Sequence, residues 1–247
     1  MPEVGWLTAF LDLPGGLGID AVEFWAAATG TGVSPVRGDS GQFATLQPPA
    51  ADACWRVQRL DEGGPAMHLD LHTDDRAALE ERIVRLGATL VATYDGVTVL
   101  TSPGGLPFCV VGDVLHDRPG PVSWGGHDSM LDQVCLDVPD PAYDAEVGFW
   151  SAVLAAEVYP SQRREEFDNL VRPQHLPLRL LVQRVGHDGP VTAHPDLAST
   201  DRPAEVARLE ALGAVVEVVE EFWTVLRAPD GRLFCVTERD PHTAHLN

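Results

Sequence analysis

The chain has 247 residues, of which 45% are apolar and 22% charged, and a formal net charge of −20. That apolar share supports a globular core, while the excess of negative charge argues against nucleic acid or an anionic membrane surface as a partner. All 17 basic residues are arginine, which excludes Schiff-base and P-loop chemistry that depends on lysine.

The first stretch, WLTAFLDLP (6–14), reads as a strand in which Leu7, Ala9, Leu11 and Leu13 alternate with Thr8, Phe10 and Asp12. Asp20 is placed to cap a helix through AVEFWAAATG, and Gly30 to end it. Short strands are expected near 33–37, 42–47 and 53–60. AMHLDLHT follows as another strand, with His68, Asp70 and His72 on one face and Met67, Leu69 and Leu71 on the other. A helix at 75–86 carries Leu79, Ile83 and Leu86 on one stripe and ends at Gly87. Strands at 89–93, 97–101 and 107–111 complete a second β-α-β-β-β unit. The start, MPEVGWLTAFLDLPGG, includes Glu3 and Asp12 and has no basic region, so no cleaved signal peptide is expected. No apolar run approaches the roughly twenty residues of a membrane span. Four cysteines without a CxxC pair point to reduced thiols and a cytoplasmic protein.

The second half repeats the first. FLDLP (10–14), EFWAA (23–27) and VQRL (57–60) recur as CLDVP, GFWSA and VQRV, each 125 residues later. HLDL (68–71), RLGA (85–88) and FCVV (108–111) recur as HPDL, ALGA and FCVT at an offset of 126. The shared order predicts two domains, 1–113 and 130–247. They are joined by a Gly- and Pro-rich linker at 114–129.

The fourfold βαβββ pattern, the H-x-D-L segment and the closing P-x-G-x-x-F-C-V strand resemble the vicinal-oxygen-chelate superfamily, most closely its glyoxalase/bleomycin-resistance domains. The resemblance covers about 5–113 and 130–241. It implies an α+β fold of four βαβββ modules forming two half-barrel domains. Metal-binding members of that superfamily take ligands from the first, fifth and eighth strands of a half, and some add one from the fourth. Carried over, these positions are Thr8, His68, Cys109 and Gln58 in the first half, and Gln133, His194, Cys235 and Gln183 in the second. The glutamate of the eighth strand is cysteine in both halves. The first set therefore reads as a lost metal site. The second leaves Gln133, His194 and Cys235 as a candidate metal set.

Beside these stand plainer readings. Asp70 and Asp196, two residues after each histidine, serve to hold the imidazoles. Trp25 and Trp150 are core packing. Gln58-Arg59 and Gln183-Arg184 orient strand ends, and His242 and His245 belong to a frayed terminus. Strand-interior thiols such as Cys109 and Cys235 are expected to be inert. Missing carboxylates and apolar neighbours such as Phe10 favour metal-independent binding of a small organic ligand, with no cofactor. The ligand-binding candidates are the eight positions above together with Phe10. The alternative is a lyase, isomerase or dioxygenase using Zn, Ni, Fe or Mn in the second domain. The expected assembly is a monomer acting as an internal pseudo-dimer, or a homodimer.

Overall fold

The computed structural model describes residues 3–15 and 19–245, and every candidate residue named above lies within them. The first module runs β1 (Trp6–Leu13), α1 (Ile19–Thr29), β2 (Gly32–Val33), β3 (Phe43–Gln47) and β4 (Trp55–Arg59). The second is β5 (Ala66–His72), α2 (Arg76–Arg85), β6 (Thr89–Tyr94), β7 (Val97–Thr101) and β8 (Pro107–Val111). After a short β9 (Val122–Ser123), the third is β10 (Asp128–Pro139), α3 (Tyr143–Leu154), β11 (Val158–Pro160), β12 (Phe167–Leu170) and β13 (Arg179–Val185). The fourth is β14 (Thr192–Ser199), α4 (Arg202–Ala211), β15 (Val215–Val219), β16 (Trp223–Arg227) and β17 (Leu233–Thr237). The fourfold βαβββ order is thus as expected.

Each half contributes one mixed sheet. The strand orders are β2-β3-β4-β1-β5-β8-β7-β6 and β11-β12-β13-β10-β14-β17-β16-β15, with β9 added beside β10. β5 pairs with β8, and β14 with β17, in parallel; the hairpins that end each sheet are antiparallel. The repeat extends to irregularities. A bulge falls between Leu90 and Ala92 on β6 and between Val216 and Val218 on β15, again 126 residues apart.

Local chemistry explains the helix ends. Asp75 and Asp201 sit at the N-caps of α2 and α4 and accept from the Ala78 and Ala204 amides at 3.1 and 3.0 Å, satisfying donors that the first helical turn cannot. Gly87 and Gly213 then leave those helices at φ of 113° and 106°, a left-handed region that favours glycine.

Four expectations need correction. α1 starts at Ile19, so Asp20 lies inside the first turn and is not the cap. β1 is buried at all eight positions and does not alternate: both of its faces are covered, as happens to a strand in the middle of a sheet. Leu86 is 36% exposed, because the helix ends before that turn can press against the sheet. The segment 114–129 is more than a linker, since β9 pairs with β10 and Trp124 donates to Ser129 Oγ at 2.8 Å.

By contact density the chain forms two compact units, and these do not follow the sequence halves. One comprises Met1–Phe10, Met67–Asp117 and Val134–Ala193; the other comprises Leu11–Ala66, Arg118–Gln133 and His194–Asn247. Helix packing supplies the reason. In the first unit Phe149 and Trp150 of α3 pack edge-on or tilted against Phe108 of β8, with ring centroids 5.9 and 5.4 Å away. In the second, Phe24 and Trp25 of α1 meet Phe234 of β17 at 6.0 and 5.3 Å. Trp25, Trp150, Phe108 and Phe234 are fully buried, so the two tryptophans are core, as the sequence suggests. Their indole N–H groups, expensive to bury unpaired, donate to Asp230 at 3.0 Å and to Glu146 at 2.8 Å.

Candidate functional site

In the first unit, β5 and β8 lie side by side in a register that sets Asp70 opposite Cys109. His68, Asp70 and Cys109 each present a ligand atom, all within 4.8 Å of one another. The surroundings are committed elsewhere. Thr8 Oγ1 lies 2.9 Å from His72 Nε2, and His72 Nδ1 lies 3.1 and 3.0 Å from the Gly112 and Asp113 carbonyls. Because carbonyls only accept, Nδ1 carries a proton, and in the neutral imidazole Nε2 then accepts from the threonine hydroxyl. Phe10 stacks on the His68 ring with centroids 4.3 Å apart and planes 14° from parallel. His68 Nε2 stands 3.9 Å from Asp70 Oδ1, too far for a hydrogen bond.

The second unit holds the related arrangement on β14 and β17, where Asp196 faces Cys235 across the parallel pair. His194, Asp196 and Cys235 also bring their ligand atoms within 4.8 Å of one another. Here the carboxylate is oriented. Gln133 Nε2 donates to Asp196 Oδ2 at 2.7 Å, while Oδ1 is buried without a hydrogen-bond partner among the described residues. That oxygen lies 3.4 Å from His194 Nε2, long for a strong hydrogen bond and within the spacing of two ligands on one ion. Next to this cluster Arg239 forms a buried, two-pronged pair with Asp132 at 2.8 and 2.6 Å. Burial alone would lower the Arg239 pKa, but the Asp132 carboxylate outweighs it and Asp196 adds to the upward shift.

The remaining candidates are placed as follows. Gln58 is half-buried on β4, opposite Phe43, and Gln183 Oε1 accepts from the Cys135 thiol at 3.8 Å. β4 and β13 lie inside their sheets, so neither Gln-Arg pair sits on a sheet edge. Arg59 instead holds the Ser40 and Gly41 carbonyls, and Arg184 covers the Tyr143 ring at 3.9 Å while donating to Asp140. His242 pairs with Asp128 at 2.9 Å, and this hydrogen bond is the main cause of the lowered Asp128 pKa.

The sequence reading placed His194, Gln133 and Cys235 together but treated Asp196 only as a holder of the histidine. The structure puts Asp196 in the donor set, with Gln133 behind it as an orienting group. The signal was present in the H-x-D spacing on one strand face, yet the strand register needed to join it to Cys235 was not. The donor chemistry in the second unit, one imidazole, one oriented carboxylate and one thiol, suits a divalent ion. In the first unit Thr8 is occupied by His72 and the His68 face by Phe10, so the fit is poorer.

Two sheets of paired βαβββ modules, each with a histidine on the fifth strand close to a cysteine on the eighth, define a protein of the vicinal-oxygen-chelate superfamily. The chain belongs to the glyoxalase-like domain family, whose profile matches residues 19–111 and 133–237. A search of curated protein sequences gave no match. Among solved structures, the Mn(II)-bound glyoxalase from Novosphingobium aromaticivorans is 20% identical, with a TM-score of 0.66 over 99% of this chain and 87% of that one. The 2,2',3-trihydroxybiphenyl 1,2-dioxygenase from Sphingomonas wittichii is 14% identical, with a TM-score of 0.62 over 99% and 94%. A 4-hydroxymandelate synthase variant from Streptomyces coelicolor is 15% identical, with a TM-score of 0.62 over 96% and 93%. At these identities the likeness is one of fold.

Proposed function

We propose that the chain is a divalent-metal protein of the glyoxalase-like family, in which His194, Asp196 and Cys235 hold the ion and leave positions open for an oxygen-bearing substrate. The observation that carries this reading is the buried Asp196 Oδ1, which lacks a hydrogen-bond partner among the described residues and faces His194 Nε2 at 3.4 Å. An ionised carboxylate oxygen left unpaired in the interior is costly; a cation at that point would satisfy it. A bound ion would act as a Lewis acid on a substrate oxygen. The chain's own residues orient it: Gln133 fixes the carboxylate, and Arg239 is held aside by Asp132. The Mn(II)-bound glyoxalase among the structural neighbours supports a divalent ion. The thiol at Cys235 favours a softer ion such as Zn over Mn.

The test uses tag-free protein titrated with Co²⁺ as a spectroscopic stand-in for Zn²⁺. A thiolate-to-cobalt absorption band at one equivalent is expected. Cys235→Ser should abolish the band, and Asp196→Asn should weaken binding at least tenfold. Cys109→Ser should leave the band in place. Less than about a tenth of an equivalent of metal retained after reconstitution with Zn²⁺, Ni²⁺, Fe²⁺ or Mn²⁺ would reject the reading.

A further inference from the structure

In the first unit, Cys109 Sγ has a His68 ring nitrogen and an Asp70 carboxylate oxygen within 4.8 Å. The sequence places no histidine near this thiol; the parallel pairing of β5 with β8 supplies one. We propose that Cys109 is a nucleophile whose proton His68 takes and returns, and that the pair adds covalently to α,β-unsaturated carbonyl compounds carrying no negative charge.

Access singles out this thiol. All four cysteines are free. Cys54, Cys135 and Cys235 are buried, at 3%, 1% and 7% exposure, whereas Cys109 and the neighbouring His68 are half-buried. Reactive cysteines are partly exposed and lie beside a group that can carry positive charge, while buried ones in apolar surroundings are inert.

The repeat supplies a comparison. In the second unit the matching thiol is buried, and Gln133 orients Asp196 beside it. At the matching position of the first unit stands Thr8, whose hydroxyl lies against His72. A metal needs three or four well-placed donors; proton transfer between a thiol and an imidazole needs only two groups. Phe10, stacked on His68 with planes 14° from parallel, holds the ring in one orientation. The two copies thus differ in what they suit: a buried thiol for an ion, an accessible one for attack.

Electrostatics permit the transfer. Asp70 Oδ1 lies 3.9 Å from His68 Nε2. Moving the thiol proton to His68 creates two attractions, of imidazolium to thiolate and of imidazolium to carboxylate. It creates one repulsion, between thiolate and carboxylate. At comparable distances the attractions prevail. Catalytic pairs of this kind are commonly loose until a substrate binds, so a separation of up to 4.8 Å is no obstacle.

The step balances without an oxidant or other co-reactant. The Cys109 thiolate attacks the β-carbon and a C–S bond forms. The C=C π pair moves to the α-carbon and carbonyl as an enolate, and the His68 imidazolium returns its proton to the α-carbon. The product is a saturated thioether on Cys109. A conjugated carbonyl uses both groups, the thiolate for attack and the imidazolium for protonation. An anionic acceptor would have to approach Asp70 in a chain of net charge −20, which disfavours it.

The test follows N-ethylmaleimide labelling by intact-mass spectrometry and peptide mapping. It is run on the full chain and on Cys235→Ser, which lacks the thiol of the metal set, so its outcome is read apart from the cobalt titration. One adduct, on Cys109, is expected in both. An ordinary thiol reacts roughly seventyfold faster at pH 8 than at pH 6, as its thiolate fraction grows. The Cys109 rate should rise by less than about tenfold over that interval. His68→Gln should restore the steep rise and slow labelling at pH 6 at least fivefold, and the anionic probe 3-maleimidopropionate should react at least fivefold more slowly than N-ethylmaleimide. No adduct before denaturation, an adduct on another cysteine, or an ordinary pH profile in the intact chain would overturn the proposal. So would an unchanged profile in folded His68→Gln or equal rates for the two probes. The intact-chain profile decides by itself if that variant does not fold.

Discussion

Replacing Glu205 with alanine is expected to destabilise the protein by about 3–5 kcal/mol, the range for breaking a buried ion pair from one side. Glu205 is fully buried in α4. Its carboxylate accepts two hydrogen bonds from Arg208, both 2.7 Å, one from Ser129 at 3.0 Å and one from His127 at 2.7 Å. Arg208 also donates to the Ala27 and Ala28 carbonyls at the end of α1 and lies over the Trp124 ring at 3.6 Å. One carboxylate thus joins α4, the end of α1 and the 124–129 segment within the second unit. Its loss leaves a guanidinium partly buried against carbonyls that cannot neutralise it. Urea unfolding of Glu205→Ala measures the loss. As a control, Glu81→Ala removes the exposed partner of Arg85 on α2 and should cost under about 1 kcal/mol. If the two variants proved equally stable, the cluster would have no special role.

The second large effect is expected from Phe234→Ala and Phe108→Ala, each costing about 3–5 kcal/mol. Both rings are fully buried, and each anchors the aromatic cluster of its unit. The loss combines removal of apolar surface with a cavity that neighbouring tryptophan and phenylalanine rings cannot collapse to fill. Phe234→Leu keeps most of the volume and should cost about 1–2 kcal/mol. Because the two environments repeat 126 residues apart, the alanine variants should agree to within about 2 kcal/mol. A larger gap in denaturant melts would show that the repeat is geometric without being energetic.

Much of the fold was legible because its signals are local. Gly30 and Gly87 follow their helices at positive φ, as their local pattern predicts, whereas the N-caps at Asp75 and Asp201 came from the structure and the one expected at Asp20 lies inside its helix. The 125- and 126-residue offsets identified the repeat because packing preserves the spacing of apolar faces. Where local reading went wrong, a distant element had intervened. Trp6–Leu13 was expected to alternate, but cover on both faces buries even Thr8 and Asp12. The Gly- and Pro-rich stretch at 114–129 looked like a spacer. It carries β9, and its Trp124 and His127 side chains contact Arg208 and Glu205 on α4.

The candidate site divides along the same line. His194 and Cys235 could be grouped from the sequence by resemblance, and the cysteine in place of glutamate was visible in both halves. Asp196 joined them only through the parallel register of β14 with β17, which a strand sequence does not encode by itself. By itself, then, the sequence determined the modules, their repetition and the residue types available for chemistry, because these rest on propensity and periodicity. The tertiary structure alone decided which carboxylate lies beside which thiol and which carboxylate oxygen was left unpaired, because both depend on groups brought together only when the whole chain has packed.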